Sequence, residues 1–398
     1  MSLGRAFATL WGANAASNLA DGLAFVSIPL LATSFTDDPR LVAGLATLYA
    51  MVRLLVALPI GVWVDRLDRR TILIVANLFR GSAVIALAIC VQLDVGGLIL
   101  LYVVYGAIGT LESAADNASV SLVPNLVEKR QLDSANGRIS AAQLVADEFV
   151  GPPLGGFLFA LAAAAPVYAM GGLWAAAGIV ALALPSRALA APDAIPTKRP
   201  PMWKEAVAGA SWLARHRIVG SLAMIGALAS VGYMLTFSIL VIFVQDRLGV
   251  SAAGYGVILS VSALGGLIGS FTTARIRLRI GYRWTIVASL ILGAVSLFVL
   301  ATTTNAVIAS ASLVVYIFHA VVWGICSVSL RQRLVPEPLR GRVNATAQVL
   351  GLLGLALGSF SGGLLAVIHI ALPVAVGGGM FITCAFAASL LLRNVDDN

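Results

Sequence analysis

Charge is what this 398-residue chain has least of: 11% of its residues are Asp, Glu, Lys or Arg, against about a quarter in typical soluble domains. Histidine and cysteine are scarcer still, with three of each. Cys90, Cys326 and Cys384 fall in separate apolar runs without metal-ligand spacing, so they exclude a disulfide scaffold and read as core filler. No His-Glu-x-x-His, Gly-x-Ser-x-Gly elbow or P-loop occurs. The chain therefore offers no catalytic motif, no metal site, no cofactor site and no loop for binding ATP. What is abundant is apolar: 60% of residues are hydrophobic and the mean hydropathy is +0.96. A soluble globule of this size has too little interior to hide that excess. The composition leaves a polytopic membrane protein.

A helix needs about 20 apolar residues to cross the roughly 30 Å hydrocarbon layer. The apolar runs place twelve spans near 8–35, 41–64, 71–92, 96–123, 137–164, 167–186, 218–244, 251–274, 284–303, 306–330, 343–368 and 371–392. These runs do not alternate with period two, which argues against a β-barrel. Of the 26 Lys and Arg, Arg40 and Arg247 lie in loops of one side, and Arg53 and Arg80 fall inside spans. The other 22 cluster at the termini or around the loops after even-numbered spans. That asymmetry predicts a multi-pass cell-membrane protein with both termini in the cytoplasm. The formal charge of +8 then belongs to loops beside anionic lipid, and nucleic acid is not an expected partner. The first span, interrupted by Asn14, Ser17, Asn18 and Asp21, reads as an uncleaved helix rather than a signal peptide.

The sequence divides into residues 1–186, a linker over 187–217 and residues 218–398. Pro192, Pro196, Pro200 and Pro201 suit a linker. Met202 to Arg217 has the pattern of an amphipathic helix at the membrane surface, or of an extension of span 7. A repeat relates the two halves. Gly61 matches Gly269, and Asn136 matches Asn344, at one offset of 208. Leu122-Val123-Pro124 recurs as Leu334-Val335-Pro336, and Gly155-Gly156 as Gly362-Gly363. Parallel six-helix repeats are an architecture of alternating-access transporters.

The loop after span 2 reads Gly61-Val-Trp-Val-Asp65-Arg66-Leu-Asp68-Arg69-Arg70. It resembles the loop 2–3 signature of the major facilitator superfamily, with Asp68 where that pattern carries glycine. The resemblance implies an all-α membrane fold of twelve helices in two pseudo-symmetric bundles. It also implies a cytoplasmic gate built on Gly61, Asp65, Arg66, Arg69 and Arg70. Arg80, Asp147 and Glu148, near the same ends of their spans, join that gate as candidates. Span 5 carries Gly151-Pro152-Pro153-Leu154-Gly155-Gly156, similar to the tail of the antiporter motif of that superfamily. Arg138 and Asp147 stand where the motif's earlier glycines would be. Small residues there would let span 5 pack closely on a partner helix. The segment Leu122 to Arg138 and Trp212-Leu-Ala-Arg-His-Arg217 resemble the enterobactin-exporter and macrolide-efflux branch, whose members are proton-driven exporters. Glu112 and Asp116 replace the basic residue many drug antiporters carry in span 4.

Seven charged residues lie inside spans: Asp21, Arg53, Arg80, Glu112, Asp116, Asp147 and Glu148. Each is costly in hydrocarbon and must face a partner or an aqueous cavity. Asn14, Ser17, Asn18 and Asp21 share one helical stripe, and Glu112, Asp116 and Ser119 another. Five acids against two arginines leave a surplus that protonation would relieve. That is a requirement for proton coupling, with Asp21 or the Glu112/Asp116 pair as carrier, Arg53 and Arg80 as counter-charges or displacers of the proton, and Asn18 beside the substrate. Fixed salt bridges between helices are the competing reading. His319, on an otherwise apolar helix, reads as a satisfied core residue, with a relay as the alternative. Phe25, Tyr233, Phe237, Tyr316 and Trp323 suit a bulky amphipathic substrate, or plain packing. The expected function is proton-gradient-driven efflux of a small amphipathic organic compound, such as a drug or siderophore, by a monomer. Uptake by symport or facilitated diffusion is the alternative on the same fold, and a membrane-embedded enzyme is a more distant one.

Overall fold

Long apolar stretches cannot leave backbone amides unpaired in hydrocarbon, so the chain satisfies them within helices. The computed structural model describes residues 3–185 and 202–393, apart from the side chains of residues 58, 61–63, 65–66, 129, 202–206 and 338. Among the described residues no strand occurs. The long helices are α1 (Arg5–Phe35), α2 (Pro39–Arg66), α3 (Arg69–Gln92), α4 (Leu98–Leu126), α5 (Leu132–Gln143), α6 (Gly151–Leu161) and α7 (Ala164–Ala181). There follow α8 (Met202–Arg215), α9 (Arg217–Phe237), α10 (Ala252–Thr302), α11 (Ala306–Leu334), α12 (Arg340–Ile368) and α13 (Leu372–Leu391). A π-helical segment, Leu144–Val150, joins α5 to α6 in one span. A second π-helical segment, Phe243–Arg247, ends the span that α9 begins. Eleven helical stretches among the described residues are long and apolar enough to cross a membrane. One of them, α10, is two helices joined at Gly281, whose φ of 77° is a conformation glycine adopts without strain. Twelve spans result, as the sequence predicts.

The described chain forms two compact units. The first comprises residues 1–37, 52–195 and 251–260; the second comprises 38–51, 196–250 and 261–398. In the first, α3 packs along α7 and α4, and α1 packs along α7 and α6. Gly22 of α1 and Gly151 of α6 approach closely: a Cβ on Gly151 would lie 2.6 Å from the Gly22 Cα. Any larger side chain would force the two backbones apart. In the second unit, α9 packs against α12 and α13, and α8 packs against α12. His216 has extended backbone angles and accepts a hydrogen bond at Nδ1 from the Val219 amide, 3.3 Å. It therefore separates α8 from α9 and caps the latter, so α8 is a helix of its own. The prolines 192, 196, 200 and 201 lie outside the described residues.

The repeat read from the sequence has a packing counterpart inside each unit. A Cβ on Gly155 would meet Leu23 O at 3.1 Å and Ser27 Oγ at 3.0 Å. One on Gly362 would meet Leu235 O at 2.9 Å and Ser238 Oγ at 2.7 Å. A Cβ on the neighbouring Gly156 would lie 3.2 Å from the Gly256 Cα in the first unit, and one on Gly363 would lie 2.9 Å from the Arg40 Cα in the second. Equivalent glycines thus receive equivalent neighbours.

Asp68, the departure from the superfamily pattern, has a structural role. Its carboxylate accepts from the Arg70 and Thr71 amides, each at 3.2 Å, and from Thr71 Oγ1 at 2.7 Å, capping α3. A cap of this kind satisfies amides that no helical carbonyl can reach. Asp68→Ala should cost about 1 kcal/mol of stability and Asp68→Gly only a few tenths. Melting temperatures of the detergent-purified protein, ordered wild type, Gly, Ala, check this.

Candidate functional site

The polar stripe of α1 meets the acidic stripe of α4 and two residues of α3 within the first unit. Arg80 is wholly buried, and its guanidinium forms a close ion pair with Asp21 Oδ1. The same nitrogen lies 3.6 Å from Glu112 Oε2. The other terminal nitrogen donates to Ser17 Oγ at 3.3 Å. Ser17 in turn donates to Asn77 Oδ1 at 3.3 Å, and the Asn77 amide donates to Leu73 O at 3.0 Å. The guanidinium carbon sits 4.2 Å from the Trp174 ring centroid, a cation–π contact that strengthens when desolvated. Glu112 has a second cation: Arg53 of α2 donates to its Oε1 at 3.0 Å. Ser119 of α4 donates to Asn14 Oδ1 at 2.9 Å, completing the seam between α1 and α4.

Two arginines and two acids therefore balance in one connected network, spanning α1, α2, α3 and α4. Removing water from a charge is costly, and partners of opposite sign must offset it. The remaining intramembrane acids are placed differently. Asp116, one turn beyond Glu112, is exposed. Asp147 is half-buried in the π-helical segment, hydrogen-bonded to the Gln143 side chain, with Oδ1 lacking a partner. Its Cα would lie 2.8 Å from a Cβ on Gly22, which sets it beside Asp21. Glu148 is exposed. Among the described residues, Asp116, Asp147 and Glu148 have no Lys or Arg nitrogen within 4 Å. Asn18, on the same stripe of α1 as Asp21, is half-buried.

Of the two places open to Arg80, counter-charge to the acids or partner in the gate, its contacts are those of a counter-charge. Arg80 lies eleven residues into α3 beyond Arg69, about 16 Å along the helix, and pairs with Asp21 and Glu112 instead. Arg69 and Arg70 do stay at the loop. Arg69 donates to Ser121 O at 3.1 Å and Arg70 to Leu182 O at 2.7 Å. Both cations thereby meet carbonyls at the C-terminal ends of α4 and α7, where the helix dipole favours positive charge. Gly61, Asp65 and Arg66 belong to α2, but their side-chain surroundings lie outside the described residues. Gly151 and Gly155 pack on α1, while the Pro152 carbonyl lies against Gly256 and Gly156 faces 252–256.

The aromatic candidates divide. Tyr233 and Phe237 stack at 4.4 Å, and Tyr316 lies 6.4 Å and 5.5 Å from them. Tyr316 and Phe381 each meet the His319 ring edge-on, at 4.7 Å and 4.9 Å. His319 is buried as the sequence suggests, but among the described residues neither ring nitrogen finds a hydrogen-bonding group, so it is not a satisfied core residue. Its ring fills the space left by Gly293, where a Cβ would come within 2.7 Å of His319 Cε1. Phe25 is exposed in the first unit, and Trp323 stands beside Gly226, where a Cβ would lie 3.9 Å from its Cζ2. Trp174, Ser17 and Asn77 were not singled out from sequence as partners of Arg80. Trp174 and Asn77 are ordinary residues of apolar runs, and no spacing marks them.

Residues 3–398 match the family described as transmembrane secretion effector. The chain is 27% identical over 271 residues to the enterobactin exporter EntS of Shigella boydii serotype 4, a match covering 68% of this chain and 64% of that protein. It spans less than two thirds of that relative's length. An Escherichia coli EntS is 26% identical over 356 residues, covering 89% of this chain and 83% of the exporter. Among solved structures, a bacterial homologue of the iron transporter ferroportin superposes with a TM-score of 0.74 at 19% identity, over 97% of this chain and 100% of that one. That likeness concerns the fold.

If Arg80 is held by two carboxylates at once, its removal strands buried charge. Arg80→Gln should cost about 3–5 kcal/mol, the scale for breaking a buried ion pair by removing one partner. Adding Asp21→Asn should restore part of the loss. Thermal unfolding of wild type, both single variants and the double variant gives the coupling energy. Strict additivity would refute the pairing.

Proposed function

The chain belongs to the transmembrane secretion effector family of the major facilitator superfamily, and from that membership we propose that it is a secondary active exporter of a small amphipathic organic compound, driven by proton antiport. The observation that carries this reading is the split among the intramembrane acids. Asp21 and Glu112 neutralise Arg80 and Arg53, while among the described residues Asp116 and Asp147 have no such cation. A carboxylate that trades a guanidinium for a proton changes the charge of the network without leaving a naked ion in hydrocarbon. Protonation of Asp21 or Glu112 releases Arg80 or Arg53 to a second acid, and Asp116, exposed beside Glu112, is the acid in reach. Substrate entry and proton uptake then compete for one balanced network, which is the requirement for antiport.

In this reading the chain works as a monomer in the inner membrane, with both termini cytoplasmic and its two sequence halves alternating access. No catalytic group takes part, and the proton gradient is the energy source. Arg69 and Arg70, with Asp65 and Arg66, form the cytoplasmic gate, and the glycines of α6 support close packing during the cycle. The enterobactin exporters among its relatives favour a siderophore-like or drug-like cargo, and the stacked Tyr233, Phe237 and Tyr316 suit an aromatic one.

Purified protein in proteoliposomes with an imposed pH gradient should accumulate at least one compound of a panel of catecholate siderophores and amphipathic dyes. A protonophore should abolish the accumulation. Substrate addition in detergent should release protons from wild type, and Asp21→Asn, Glu112→Gln or Asp116→Asn should remove that release. Unchanged proton release in all three variants would refute the coupling assignment, and transport insensitive to the pH gradient would favour facilitated diffusion.

A further inference from the structure

A groove of about 960 Å³ lies in the first unit between the start of α1 and the α5–π segment. Its floor is made by small side chains, Ala8 and Ala15 of α1 with Ala142 and Ala146 opposite. Its walls hold Val145 and Val150, both exposed despite being apolar. The groove runs along α1 from Arg5 to Leu19, about 21 Å of helix. Half of a roughly 30 Å hydrocarbon core is about 15 Å, so the groove spans one leaflet and its interface.

The chemistry of the two ends differs. Arg5 and Arg138 line the mouth, and among the described residues no acid lines the groove. Both arginines are exposed, and among the described residues neither is ion-paired. Trp11, 40% exposed, lies between mouth and floor, its indole nitrogen donating to Arg138 O at 3.1 Å. That bond fixes the ring at the depth where an amphipathic aromatic is favoured, and draws the middle of α5 to α1.

We infer that this groove holds one anionic phospholipid, its phosphate between Arg5 and Arg138 and an acyl chain along the alanine floor. Two unpaired cations above a leaflet-deep apolar channel complement that molecule in charge, polarity and length. A zwitterionic lipid would bring its own cation to the same mouth and bind more weakly. The network around Arg80 contributes nothing to the groove, so lipid binding and proton coupling fail independently.

The test uses the full chain in detergent, titrated with phosphatidylglycerol, with phosphatidylcholine of the same acyl chains, or with glycerol phosphate. Retained lipid is read by native mass spectrometry, and the melting temperature is followed in parallel. Wild type should retain phosphatidylglycerol in preference to phosphatidylcholine and gain thermal stability from it. Arg5→Gln and Arg138→Gln should each lower affinity about fivefold, the scale of one basic side chain beside an anionic surface. Both positions are exposed, so the lipid-free melting temperature should stay near that of wild type. Ala15→Phe, which fills the floor, should remove retention of both lipids. Equal retention of the two lipids, or an unchanged affinity in both arginine variants, would overturn the inference. So would a glycerol phosphate response matching that of the lipid, which would mean a headgroup site without a chain. Displacement of phosphatidylglycerol by the transported compound at equimolar concentration would also overturn it, by making the groove a substrate entry.

Discussion

A guanidinium with no exposed surface, inside a bundle built for hydrocarbon, imposes conditions on everything near it. Arg80 cannot shed its proton at any accessible pH, so its charge must be met by geometry. It is met by Asp21 from α1 and Glu112 from α4, by the Ser17 hydroxyl, and by the face of Trp174 from α7. Three helices besides its own are thereby held in register around one atom group. Lysine would not substitute, because a point charge can neither place a second, fixed nitrogen on Ser17 nor stack flat on an indole. Glu112 carries the constraint outward to Arg53 and α2.

Helix packing satisfies a second condition. Apolar helices in lipid gain little from burying each other's side chains and depend on close backbone approach. The contact of Gly22 with Gly151 brings α1 and α6 together one residue from Asp21. The position of the acid is therefore tied to the glycine of another helix. In the second unit the corresponding stripe of Gly354, Gly358 and Gly362 faces α9, approaching the carbonyls of Ala227, Val231 and Leu235. The two units use one packing device for different ends: beside the first stripe lies a charged network, and beside α9 of the second unit an aromatic cluster around His319.

The fold was legible in the sequence to the extent that it follows from long-range averages. Span length, the placement of lysine and arginine, and the spacing of Asn14, Ser17 and Asp21 are all periodic signals, and each survives an error of a few residues. Gly281 hides inside one continuous helical assignment, yet the charged stretch from Arg275 to Arg283 had already marked the break between two spans. Depth was less legible. The sequence leaves Arg80 open between the gate and the intramembrane acids, and only the fold reveals that its side chain meets Asp21 and Glu112. Partners were the least legible: nothing in the run around Trp174 separates a cation-binding face from ordinary packing. Asp68 appeared as a lapse from a pattern, whereas the structure makes it a helix cap.

The stacking of Arg80 on Trp174 also has an optical consequence. An indole's emission responds to the electric field along its ring, and here a fixed positive charge stands 4.2 Å from the centroid, with two carboxylates beyond it. Any proton, ligand or rearrangement that changes the charge around Arg80 alters that field before it alters the backbone. The chain thus has a built-in voltmeter at the centre of its ionic network, legible in the colour of one of its seven tryptophans.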